Sequence, residues 1–147
     1  MVLIVPAGET GIKNFQDLAK PEVKHIAIGE PRTVPAGEYA QDVLTHFGLY
    51  DRLKPKYVLA RDVRQVLTYV STGNVDAGIV YATDAQTFQK VSVVATAPEE
   101  SHSPVIYPVA VIEASKNSAG ARDFENFLVG PQSRAVFQKY GFAPINP

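Results

Sequence analysis

Short apolar runs alternate along this chain with stretches of helical periodicity, and this alternation constrains the fold more than any other feature. Residues 2–5, 25–28, 57–60, 76–81 and 91–95 each read as a short strand rich in β-formers. The clearest helix starts at Pro35, which suits a first turn because the N–H it lacks would have no intrahelical acceptor there. Ala36, Tyr39, Ala40, Val43, Leu44 and Phe47 recur at the spacing of one buried face, and Gly48 stops the helix. A second helix starts at Asp62, a capping side chain, and Gly73 ends it. It carries Val63, Val66, Leu67 and Val70 on one face.

Further helices are expected from Asn14 through Leu18 and over 83–88. Another begins at Asn117 or Ser118 and carries Ala121, Phe124, Phe127 and Leu128. Gly130-Pro131 opens the last, which carries Ala135, Val136 and Tyr140 and closes at Gly141. Residues 105–112 read as one more strand. Strands alternating with helices of this length predict an α/β layered fold with a mostly parallel sheet.

Several functions are excluded or disfavoured at this stage. The 147 residues are 46% hydrophobic and 20% charged, enough for a domain with a real core rather than a disordered chain. The net charge is −1 and Lys and Arg are scattered, which argues against nucleic-acid binding. The absence of cysteine removes disulfides, thiolate metal sites and a cysteine nucleophile. His25, His46 and His102 share no metal-ligand spacing, so no direct cation site is expected. No nucleophile elbow, Walker loop or dinucleotide fingerprint occurs. Asp84 reads as a first-turn helix residue and Glu99-Glu100 as a solvated turn, so neither implies an enzyme. No cofactor is implied.

Strand-to-helix junctions remain. In an open α/β sheet ligands sit at the carboxyl ends of the strands, facing helix N-termini. A helix N-terminus offers unpaired N–H donors and a partial positive charge, so it can hold an anion without a basic side chain. Three junctions stand out: Pro35-Ala36-Gly37, Asp62-Val63-Arg64 and Val80-Tyr81. Ala36 and Gly37 are small enough for close approach, Val63 would give its backbone N–H, and Tyr81 a hydroxyl. Every α/β protein has such junctions, so spacing alone leaves the anion site one reading among several.

The same segments resemble, in order and spacing, the periplasmic molybdate-binding proteins of ABC importers. The stretches concerned are 34–40, 62–65 and 78–85, supported by 93–96, 98–102, 107–111 and 137–142, and the resemblance covers essentially the whole chain. It implies an extracytoplasmic solute-binding protein, not an enzyme, that delivers its ligand to a transporter permease. It also implies a two-lobed fold holding molybdate or tungstate in the cleft. The ligand donors it implies are the Ala36 N–H, the Val63 N–H and the Tyr81 hydroxyl.

One departure is large. The family uses two further serines from the other lobe, and no serine here matches them. Residues 7–101 are therefore expected to be the complete ligand-binding lobe. Residues 1–6 and 102–147 are expected to be a hinge strand and the C-terminal part of an incomplete second lobe. With no basic leader before its short apolar start, the chain is expected to lack its natural beginning. Strand 2–5 and segment 104–147 would then lack sheet partners, inviting a homodimer, a domain swap or a rearranged C-terminal part. The alternatives are an effector-sensing domain of a transcription regulator, a sulfate- or phosphate-binding protein, and a small α/β enzyme.

Overall fold

Five strands assemble into one sheet in a computed structural model that describes residues 1–144. They are β1 (Val2–Pro6), β2 (Ile26–Gly29), β3 (Tyr57–Ala60), β4 (Ala77–Val80) and β5 (Val91–Thr96), in the order β3-β2-β4-β1-β5. β2 pairs in parallel with β3 and β4. β1 pairs antiparallel with β4 and β5. Four strands therefore point one way and β1 runs against them, so the sheet is mostly parallel in direction with one reversed strand. Six α-helices accompany it among the described residues: α1 (Pro35–His46), α2 (Tyr50–Leu53), α3 (Val63–Ser71), α4 (Ala82–Ala85), α5 (Ser118–Leu128) and α6 (Pro131–Lys139).

Alternate residues of a strand point to opposite faces, so an internal strand needs apolar side chains at every position. β1 meets that condition. Leu3 and Val5 join one buried cluster with Ile26, Ile28, Ile79 and the α1 residues Ala40, Val43 and Leu44. Val2 and Ile4 join another with Ala27, Val80 and the α3 residues Val66, Leu67 and Val70. Helices on both faces of the sheet make the three-layer α/β arrangement expected of a periplasmic-binding-protein lobe.

The residues divide into two compact units, Met1–Pro104 and a second that begins at Val105. The second contains α5 and α6. Asn117 caps α5 by accepting from the Gly120 N–H at 3.2 Å, and the Ser133 hydroxyl in α6 donates to the Phe127 carbonyl at 2.8 Å.

Three expectations need correction. Strand 2–5 does not lack partners: β1 is laddered on both edges, which removes one of the two reasons to expect a dimer. Residues 105–112 form no ladder among the described residues, although their composition is strand-like. A strand exists only if its backbone groups find a partner, and here Ile106, Tyr107, Val109 and Ile112 stay exposed. The helix expected over 83–88 is the single turn α4.

α1 sits unusually close to the sheet. A Cβ on Gly37 would lie 2.6 Å from the Gly29 carbonyl carbon and closer still to its oxygen, and one on Gly29 would lie 3.0 Å from the Gly37 nitrogen. Gly37 is therefore small for helix–strand packing, where sequence reasoning took it as room for an anion. Gly37→Ala should lower the free energy of unfolding by about 1–3 kcal/mol, as overpacking does in other cores, read from urea denaturation.

Candidate functional site

The parallel register levels the carboxyl ends of three strands. Gly29 at the end of β2 stands opposite Ala60 at the end of β3. Ala27 stands opposite Gly78, which brings Val80 alongside that same edge. The Glu30 N–H donates to the Ala60 carbonyl at 2.8 Å and links the first two exits. α1 leaves toward one face of the sheet and α3 toward the other. Both helix N-termini and Tyr81 thus emerge at one edge. Because β1 is reversed, its beginning lies there too, with Val2 opposite Val80 and Thr96.

The first turn of α1 presents few donors. Pro35 has no N–H, and the amides of Gly37 and Glu38 both donate to the Val34 carbonyl, at 2.8 and 3.3 Å. The Ala36 amide has no acceptor among the described residues, although Ala36 is only 1% exposed. A buried N–H without a partner is costly, and a bound anion would satisfy it.

α3 is organised differently. The Asp62 carboxylate accepts from the Gln65 N–H at 2.8 Å, and the Gln65 side-chain oxygen accepts from the Arg61 N–H at 2.9 Å. This reciprocal cap occupies the amides on either side. The Val63 amide between them has no acceptor among the described residues.

Tyr81 follows β4 in extended conformation, and its carbonyl accepts from the amides of Asp84 and Ala85 to start α4. Its ring meets that of Tyr39 edge-on, with centroids 6.2 Å apart and planes at 66°. Tyr39 in turn meets His102 at 5.8 Å and 64°. The periodicity of α1 assigned Tyr39 to the core, but the residue is half-buried and belongs to neither apolar cluster. Sequence reasoning missed both residues. The only local signal is that Tyr39 follows Ala36 by three positions, which places them on one helix face. His102 carries none, because its neighbours are distant in the chain.

Burial pushes the Asp84 carboxyl above the ordinary carboxylate range, and the Arg64 guanidinium partly draws it back. Among the described residues no group of acidic and histidine side chains could hold a metal ion, and no helix is long and apolar enough to cross a membrane. A hollow of about 370 Å³ in the second unit, lined by Val109, Ile112, Ala121 and Phe124, contains none of the three expected donors.

A family model of bacterial extracellular solute-binding proteins matches residues 1–143. The chain belongs to this family. It is 46% identical over 117 residues to the molybdate-binding protein ModA of Escherichia coli, covering 80% of this chain and 45% of that one. It is 38% identical over 149 residues to ModA of Haemophilus influenzae, covering 97% and 58%. The chain thus spans about half the length of these curated relatives. A solved Clostridium difficile substrate-binding domain, assigned to a molybdenum ABC transporter, superposes with a TM-score of 0.86 at 43% identity. That match covers 99% of this chain and 63% of the other. The periplasmic molybdate-binding protein of Azotobacter vinelandii shares the fold, with a TM-score of 0.76 at 24% identity.

The α3 cap can be tested apart from any ligand. Asp62→Ala should cost about 0.5–2 kcal/mol of stability, the usual loss for such a cap, measured by thermal or urea unfolding. Asp62→Asn should keep most of it.

Proposed function

We propose that this chain captures molybdate for an ABC importer, and that the Ala36 N–H, the Val63 N–H and the Tyr81 hydroxyl are its contribution to the ligand cage. The observation that carries this reading is the common sheet edge, where two helix N-termini each keep an amide without an acceptor among the described residues and Tyr81 emerges from the neighbouring strand β4. Relatives named for molybdate binding support the choice of ligand. Residues 7–101 act as the ligand-binding lobe, the protein works outside the cytoplasm, and the transporter permease is its partner. It binds and releases its ligand rather than transforming it.

The chemistry suits a fully ionised tetrahedral dianion. Amides and a phenol donate hydrogen bonds without adding formal charge, and helix ends add a partial positive potential. A cage of donors gives a ligand proton no acceptor, so the protonated form of phosphate is disfavoured. Tungstate resembles molybdate in charge and size and should also bind. Sulfate is smaller and would leave donors unpaired.

The family resemblance assigns two further donors, both serines, to positions with no counterpart in these 147 residues. Charge-assisted hydrogen bonds contribute about 1.5–3 kcal/mol each, so a cage lacking two is weaker by roughly 3–6 kcal/mol. Titration calorimetry should give weak binding of molybdate and tungstate and less of sulfate or phosphate. Tyr81→Phe should reduce molybdate affinity by about 1.5–3 kcal/mol. Submicromolar affinity in the isolated chain would refute the missing-donor argument. Preference for sulfate, or a Tyr81→Phe variant that binds like the parent, would overturn the oxyanion reading.

A further inference from the structure

We infer that Tyr39 is a positioning residue that fixes the Tyr81 ring relative to the N-terminus of α1. The inference rests on the oxyanion reading of Ala36 and Tyr81. A rigid tetrahedral ligand needs its donors at fixed separations, yet these two belong to different elements, one to α1 and one to the exit of β4. Tyr39 belongs to α1 and touches Tyr81 directly.

Its place in the helix suits that role. Tyr39 lies one turn beyond Ala36 on the same face, and helical side chains lean back toward the N-terminus. Its ring therefore leans over the turn that carries the Ala36 amide. The edge-on geometry with Tyr81, 6.2 Å and 66°, lies in the attractive range for aromatic pairs. Tyr39 also meets His102, at 5.8 Å and 64°, so its ring contacts two aromatic neighbours. His102 is itself anchored, its Nδ1 lying 2.8 Å from the Ser103 carbonyl oxygen.

Packing alone does not require this arrangement. Tyr39 lies outside both apolar clusters, so removing its ring opens no cavity in them. What the ring does restrict is the rotamer of Tyr81. Settling that rotamer before the ligand arrives removes an ordering cost from binding.

The test compares the 147-residue chain with Tyr39→Phe and Tyr39→Leu, using sodium molybdate titrations, thermal melting and NMR of the Tyr81 ring in the free protein. Tyr39→Leu should weaken molybdate binding about three- to tenfold, the range that an aromatic pair contributes, with an unchanged melting midpoint. Tyr39→Phe keeps the ring and should stay within about twofold of the parent on the same principle. The inference is overturned if Tyr39→Leu binds like the parent, if Tyr39→Phe loses as much as Tyr39→Leu, or if Tyr39→Leu lowers the melting midpoint. A parent that ignores molybdate sinks the oxyanion reading instead. The positioning role is then judged on the Tyr81 ring signals. They should be displaced by a neighbouring ring in the parent and Tyr39→Phe and relax in Tyr39→Leu, and signals unchanged in Tyr39→Leu would overturn it.

Discussion

The parallel ladder that sets Gly29 opposite Ala60 and Ala27 opposite Gly78 is the constraint on which the site depends. It fixes how far each strand reaches before the chain turns away, and so sets the heights of the α1 and α3 N-termini and of Tyr81. A slip of one residue would move a strand end by about 3.3 Å and exchange its buried faces. Ile26, Ile28 and Ile79 on one face, and Ala27 and Val80 on the other, oppose that slip because each fills a different cluster. β1 adds to the constraint. It runs against its neighbours, is buried on both faces and holds β4 to β5.

Close helix–sheet packing then brings the helix ends to that edge. Gly29 and Gly37 meet beneath α1, and a Cβ on Gly78 would lie 2.8 Å from Val66 and 2.9 Å from Val70 beneath α3. At each end the local hydrogen bonds select which amides stay open. The Val34 carbonyl takes the amides of Gly37 and Glu38, and the Asp62 carboxylate takes that of Gln65. What remains is a small set of neutral donors whose positions the fold determines. Arg64 and Asp84 act on each other, and in the proposed cage it is the helix ends that would attract an anion.

Local rules made most of this legible. Asn14, Asp62 and Asn117 all cap the elements assigned to them, and Gly48 and Gly73 follow α1 and α3 with positive φ angles, because capping chemistry acts within a few residues. Where sequence reasoning failed, the deciding partner was distant. Residues 105–112 have the composition of a strand, but only another strand could make them one. Tyr39 fits the apolar period of α1, and nothing nearby reveals that its ring meets Tyr81 and His102 outside the core clusters. The direction and internal position of β1 depend on β4 and β5, which follow it by more than seventy residues.

The segment from Val34 to Gly37 shows why fold and site are hard to separate here. Val34 is buried and its carbonyl takes two amides. Pro35 starts the helix and offers no competing donor. Ala36 keeps an open amide, and Gly37 permits the contact that brings α1 against Gly29. A change at 37 would therefore alter stability and donor geometry together, and a loss of binding there would not identify its cause. The Tyr39 and Tyr81 rings lie outside the core clusters. Their contact lies apart from the ladder, so on the proposed reading it is where ligand geometry could be varied while the fold stays constant.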